Sequence, residues 1–205
     1  MSRFKFLIRV VTNTLPQEWL RVWADLYQGY DETVYKDLIG KYESLSAEDF
    51  IRIGKWKDGA KTERQWKPNV ASVAYEVWMK AAQELPKCPE GSSVADFLDD
   101  WSGRTYTDVF EKKGPVEKHF GLARATTLLH FISGGRFPIF DSRVRTAIAR
   151  LLDGHLPPNT VRWYLDSFRP LFSELATLCD STGDLRRLDK ALFSYGSSEK
   201  LRFSN

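Results

Sequence analysis

Apolar residues return along this chain mostly with the 3.6-residue period of amphipathic helices. Trp19, Leu20, Val22, Trp23, Leu26 and Tyr27 form one stripe. Val70, Val73, Ala74, Val77, Trp78 and Ala81 fall at i, i+3, i+4, i+7, i+8 and i+11. Leu122, Ala125, Leu129 and Ile132 repeat the pattern, as do Val144, Ile148, Leu151 and Leu152. The longest stripe runs from Val161 through Tyr164, Phe168, Phe172 and Leu175 to Leu178, and Pro170 predicts a break within it. Ser46-Ala-Glu-Asp49 resembles a capping box ahead of Phe50 and Ile53. Asp184 is an N-cap candidate for a last helix that reaches about Phe193. Only Phe4 to Val11 has the look of a strand, and a lone strand needs a partner. The expected fold is all-α.

Loops punctuate the helices. Ser133-Gly134-Gly135 stops one through glycine, and Pro157-Pro158 interrupts another stretch. Pro86 to Ser93 reads as the seam between an N-terminal half, about 1–88, and a C-terminal half, about 92–205, of one domain spanning 1–205. The helices over Leu122–Ile132 and Val144–Leu152 are expected side by side, joined by an irregular link from Gly134 to Phe140.

Composition narrows the classes. With 42% hydrophobic and 14% aromatic residues in 205, the chain can bury a sizeable core. No apolar run approaches a membrane span, and the N-terminus lacks a signal-peptide pattern, which predicts a cytoplasmic protein with no membrane partner. Two cysteines, Cys88 and Cys179, and three histidines without ligand spacing predict neither a metal nor another cofactor. The net charge is only +3, but its distribution is uneven. Lys118 to Arg150 holds six cations against Asp141, a local +5, and Arg52 to Lys67 holds six against two acids, a local +4. Two such segments suggest an anionic partner, although two solvated basic faces would read the same way.

The chemistry concentrates at Phe137-Pro-Ile-Phe-Asp141-Ser-Arg143-Val-Arg145. Asp141 opens a helix, so it reads first as an N-cap. A carboxylate at a helix N-terminus beside two arginines also stays ionised. Such an anion can stabilise a developing sugar cation or orient an attacking water, while the arginines hold phosphates. Trp56 and Lys57 pair an indole with a cation, which suits base stacking, and equally suits a packed tryptophan beside a solvated lysine. Trp66 reads as core.

Pro138-Ile-Phe-Asp141-Ser-Arg-Val144-Arg resembles the segment that carries the essential aspartate of the helix-hairpin-helix base-excision DNA glycosylases. Ile53-Gly-Lys-Trp56-Lys57 with Arg64 and Asn69, and Leu185 to Gly196, resemble divergent members of that superfamily. The resemblance implies a DNA partner, base flipping and hydrolysis of an N-glycosidic bond. It makes Asp141 the catalytic group, Lys118, Gly121, Arg124, Arg143 and Arg145 DNA-binding residues, and Trp56, Lys57 and Arg64 the lining of a base pocket. Of the family's Leu-Pro-Gly-x-Gly hairpin only Gly121 remains, and no lysine nucleophile stands near Ala123 and Arg124. The implied enzyme is therefore monofunctional. The degraded hairpin keeps two alternatives open: a non-catalytic module that binds DNA or a modified base, and a helical scaffold for protein partners.

Overall fold

The computed structural model describes residues 13–58, 73–108, 116–152 and 154–198. The helical periods become helices nearly everywhere they were read. The chain folds as two compact units, one of Met1–Gly29 with Pro138–Asn205 and one of Tyr30–Phe137. The Pro86–Ser93 loop lies inside the second unit. The helices over Leu122–Ile132 and Val144–Leu152 belong to different units. No helix among the described residues is long and apolar enough to cross a membrane.

In the first unit α1 (Pro16–Asp25) and α7 (Ser142–Leu152) both pack on α10 (Leu185–Ser197). The contact faces follow the stripes: Trp19, Leu20 and Ala24 on α1, Val144, Ala147, Ile148 and Leu151 on α7, and Leu188, Ala191, Leu192 and Tyr195 on α10. Trp19 and Trp23 set their ring edges against Tyr195 at 5.6 and 5.0 Å. Gly196 faces the start of α7 so closely that a Cβ there would lie 1.8 Å from the Arg143 carbonyl oxygen. Arg150 closes the far end of α10, donating to the carbonyls of Tyr195 and Ser198 and to the Ser198 hydroxyl. Asp184 caps α10 through the Arg187 N–H at 3.0 Å, and the helix runs four residues beyond Phe193.

The long Val161–Leu178 stripe is one rod of changing pitch. A turn of α8 (Val161–Trp163) widens into a π segment (Tyr164–Phe168) and tightens again as α9 (Arg169–Leu178). Pro170 has no N–H for the Asp166 carbonyl, and its ring crowds that oxygen, so the ladder opens just upstream instead of stopping. Phe140, Trp163, Tyr164, Phe168 and Phe172 form an aromatic cluster along this rod. Burial pushes the Cys179 thiol up to about 12, so it is an inert core group.

In the second unit α2 (Glu32–Gly40), α3 (Ala47–Asp58), α4 (Val73–Glu84), α5 (Ser93–Gly103) and α6 (Gly121–Ile132) share a core that includes Leu38, Phe50, Ile53, Trp78, Leu98, Trp101, Leu128 and Phe131. Between α5 and α6 stands an antiparallel hairpin, β1 (Thr105–Asp108) with β2 (Val116–His119), in the register Thr105↔His119 to Asp108↔Val116. Sequence periodicity did not expose it, because four residues are too few to establish alternation. Phe4–Val11, the one segment read as strand-like, lies outside the described residues.

The capping box at Ser46 is present. The Asp49 Oδ2 accepts from the Ser46 N–H at 3.0 Å, and the Asp49 N–H donates to the Ser46 hydroxyl at 3.3 Å. Lys41 and Arg52 also pair with Asp49, at 2.8 and 3.2 Å. Burial pushes the Asp49 carboxyl up, but Lys41 and the two Ser46 donors outweigh it and hold the group at about 2. A depressed carboxylate contributes stability above its unfolded value of 3.8 and loses it as pH falls toward the folded value. The contribution is about 2 kcal/mol. Urea unfolding of wild type and Asp49→Asn should therefore differ at pH 6, and the difference should shrink steadily between pH 4 and pH 2.

Candidate functional site

Asp141 stands at the N-terminus of α7, where the sequence puts it. Its Oδ1 accepts from the N–H groups of both Arg143 and Val144, each at 3.0 Å, and its own carbonyl accepts from Arg145 N–H at 2.9 Å. The residue is 8% exposed. The link that leads to it is fixed by buried side chains. The His130 Nδ1 lies 2.7 Å from the Phe137 carbonyl oxygen. That oxygen only accepts, so Nδ1 carries a proton, and Nε2 shares a hydrogen bond with the Tyr35 hydroxyl at 2.9 Å. The Tyr164 hydroxyl donates to the next carbonyl, Pro138, at 3.0 Å. Ile139 and Phe140 follow, both buried, with Phe140 stacked against Trp163 at 5.5 Å. Within the first unit, Pro138, Ile139 and Phe140 are buried and lead directly into Asp141.

The cations of the +5 stretch divide between the units, and several have internal work. Arg124 pairs through Nε with the Asp58 carboxylate at 2.9 Å and donates to the Phe120 carbonyl. Asp58 also accepts from the Trp78 indole N–H at 2.8 Å. Arg145 forks onto the Pro157 carbonyl oxygen, Nε at 3.0 Å and Nη2 at 2.5 Å, and burial lowers its pKa. Arg143 lies over the Phe193 ring at 4.4 Å. Lys118 stands in β2 opposite Tyr106. Gly121 opens α6 at φ +78°, a left-handed conformation that favours glycine, although a Cβ there would meet nothing within 4 Å.

Arg145 is thus a strut that ties α7 to the loop before α8. Arg145→Met would strand a buried carbonyl and should destabilise the protein by about 2 kcal/mol. Faster amide exchange should appear in residues 154–160, with little change in affinity for any anion. A stability equal to wild type would remove the strut.

The residues proposed to line a base pocket are placed differently. Trp56 is 5% exposed and donates its indole N–H to the Asp31 carbonyl at 2.9 Å. Its ring is packed among Tyr30, Tyr35 and Phe131 at 4.4–5.8 Å. That is the packed alternative read from the sequence, and it leaves the indole no open face for a base. Lys57 lies over the Tyr30 ring at 5.5 Å. Arg64, like Trp66 and Asn69, lies outside the described residues. No group of three His, Cys, Asp or Glu side chains that could hold a metal ion occurs among the described residues.

Sequence reasoning passed over a cluster in the first unit that adjoins Asp141. Tyr27 meets Phe193 edge-on at 5.3 Å. Arg186 and Lys190 approach the Tyr27 ring at 5.1 and 5.6 Å, and Arg143 covers Phe193. Arg186, Lys190 and Phe193 stand at i, i+4 and i+7 on α10, a mixed basic and aromatic stripe that was legible as one face. No protein-family model, curated protein or solved structure matches the chain.

Proposed function

We propose that this protein is a monofunctional DNA glycosylase of the helix-hairpin-helix type, with Asp141 as its catalytic carboxylate. The observation that carries the reading is the seating of Asp141: two backbone N–H groups of α7 converge on Oδ1, directly after the buried Pro138–Phe140 segment of the same unit. An immobile anion at a helix N-terminus needs no reorganisation when positive charge develops beside it. In the reaction the glycosidic C–N bond breaks, and the base leaves with the electron pair and takes up a proton. Asp141 stabilises the cationic sugar, and water oxygen closes the new bond at the anomeric carbon while surrendering a proton. No lysine is required, in keeping with the hairpin sequence.

A second reading is a DNA-binding module without turnover. It is favoured by the 8% exposure of Asp141, which leaves little of the carboxylate open to a flipped nucleotide. Base release from a panel of damaged and modified duplexes, with wild type beside Asp141→Asn, separates the two. Release by wild type alone supports the enzyme. Salt-sensitive binding without release by either supports the module.

A further inference from the structure

We propose that Arg143, Phe193, Tyr27, Lys190 and Arg186 form a track for the sugar–phosphate backbone of a DNA strand, leading to Asp141. The inference deepens the reading above by assigning the surface that holds the DNA. The five side chains belong to one unit, with Arg143 on α7, Arg186, Lys190 and Phe193 on α10 and Tyr27 just past the end of α1, and they form an unbroken ladder. Arg143 covers Phe193 at 4.4 Å, Phe193 meets Tyr27 at 5.3 Å, and Lys190 and Arg186 approach Tyr27 from the same helix face at 5.6 and 5.1 Å. One end of the ladder is Arg143, whose backbone N–H is bound to the Asp141 carboxylate.

Charge and shape both point to this occupant. The ladder has three cations, of which Arg186 is paired with the buried Asp189. Tyr27, Phe193, Arg143 and Lys190 are half-buried, so each side chain is held in place and still presents surface. Aromatic faces flanked by cations are what a nucleic-acid strand engages: phosphates on the cations and bases or sugars on the rings.

The test is binding of a labelled DNA oligonucleotide, single-stranded and as duplex, followed by fluorescence anisotropy over a salt series. Wild type should bind at low salt with a steep dependence. Lys190→Gln and Arg143→Gln should each lower the slope of log affinity against log salt by about 0.9 on duplex or about 0.7 on a single strand. Tyr27→Leu should keep the slope and weaken single-strand binding about tenfold. Lys190→Arg retains the charge and should restore binding, which separates a lost contact from a lost fold. Lys36→Gln, exposed in the other unit, should be silent. Slopes unchanged in both glutamine variants, or no binding by wild type at low salt, would overturn the track. Slopes that fall in a protein releasing no base would leave the track standing and remove the glycosylase. Base release with unchanged slopes would do the reverse.

Discussion

Gly196→Ala is expected to destabilise the protein by about 3 kcal/mol or more. For a chain of this length that lowers Tm by roughly 6–12 °C. The alanine methyl would sit 1.8 Å from the Arg143 carbonyl oxygen, 2.6 Å from its carbon and 3.2 Å from the Ala147 nitrogen. All three are backbone atoms of α7, and none can swing aside as a side-chain tip could. The helices must separate, and the contact between Leu188, Ala191, Leu192 and Tyr195 on α10 and the buried face of α7 loosens with them. Gly40 is the control: nothing lies within 4 Å of its Cβ position at the end of α2, so Gly40→Ala should be neutral or stabilise by up to about 1 kcal/mol. Thermal melts of both, with hydrogen exchange over α7 and α10, read the result. Gly196→Ala melting with wild type would show that the helices do not approach this closely.

The largest functional effect is expected from Asp141→Asn. Base release should fall by at least about 100-fold, the scale seen when one preorganised electrostatic partner is removed. Stability should change by less than about 1 kcal/mol, because the asparagine side-chain oxygen can accept the same hydrogen bonds from Arg143 and Val144 and caps a helix about as well as aspartate. Asp141→Ala supplies the contrast, since it removes the cap with the charge and should cost about 1 kcal/mol of stability. DNA affinity should hold or rise in the asparagine variant, because a negative charge near phosphates is gone. Equal base release by wild type and Asp141→Asn would eliminate Asp141 as the catalytic group, and an inactive wild type would leave the binding module.

What could be read from the sequence was local. Helix stripes, the Ser46–Asp49 box, the Asp184 cap and the glycine stop after Ile132 all depend on residues a few positions apart, and all are present. Asp141 at the head of its helix belongs to the same class. What escaped involves partners far along the chain. Arg124 finds Asp58 66 residues away, Arg150 finds Tyr195 45 away, and the Trp56 indole finds the Asp31 carbonyl 25 away. A count of charges along a segment cannot tell a guanidinium that faces solvent from one that satisfies a buried carbonyl. The same limit hid the ladder on α10, whose basic and aromatic residues were visible as a stripe but whose Tyr27 partner sits 159 residues from Arg186.

The discontinuity of the first unit has a consequence for biosynthesis. Tyr30–Phe137 is an uninterrupted stretch and can fold as soon as it leaves the ribosome. The first unit cannot. Its α1 must wait for α9 and α10, to which it is tied by the Gln17 side chain on the Leu178 carbonyl, 161 residues away, and by Trp19 against Tyr195. Until the last turn of α10 is synthesised, Trp19, Leu20 and Ala24 lack the α10 surface that covers them, so the nascent chain exposes an amphipathic helix while Tyr30–Phe137 is being made. A chaperone that binds short apolar helices would find that segment open, and a truncation that removes α10 should yield a protein whose second unit is folded and whose α1 is a target for proteolysis.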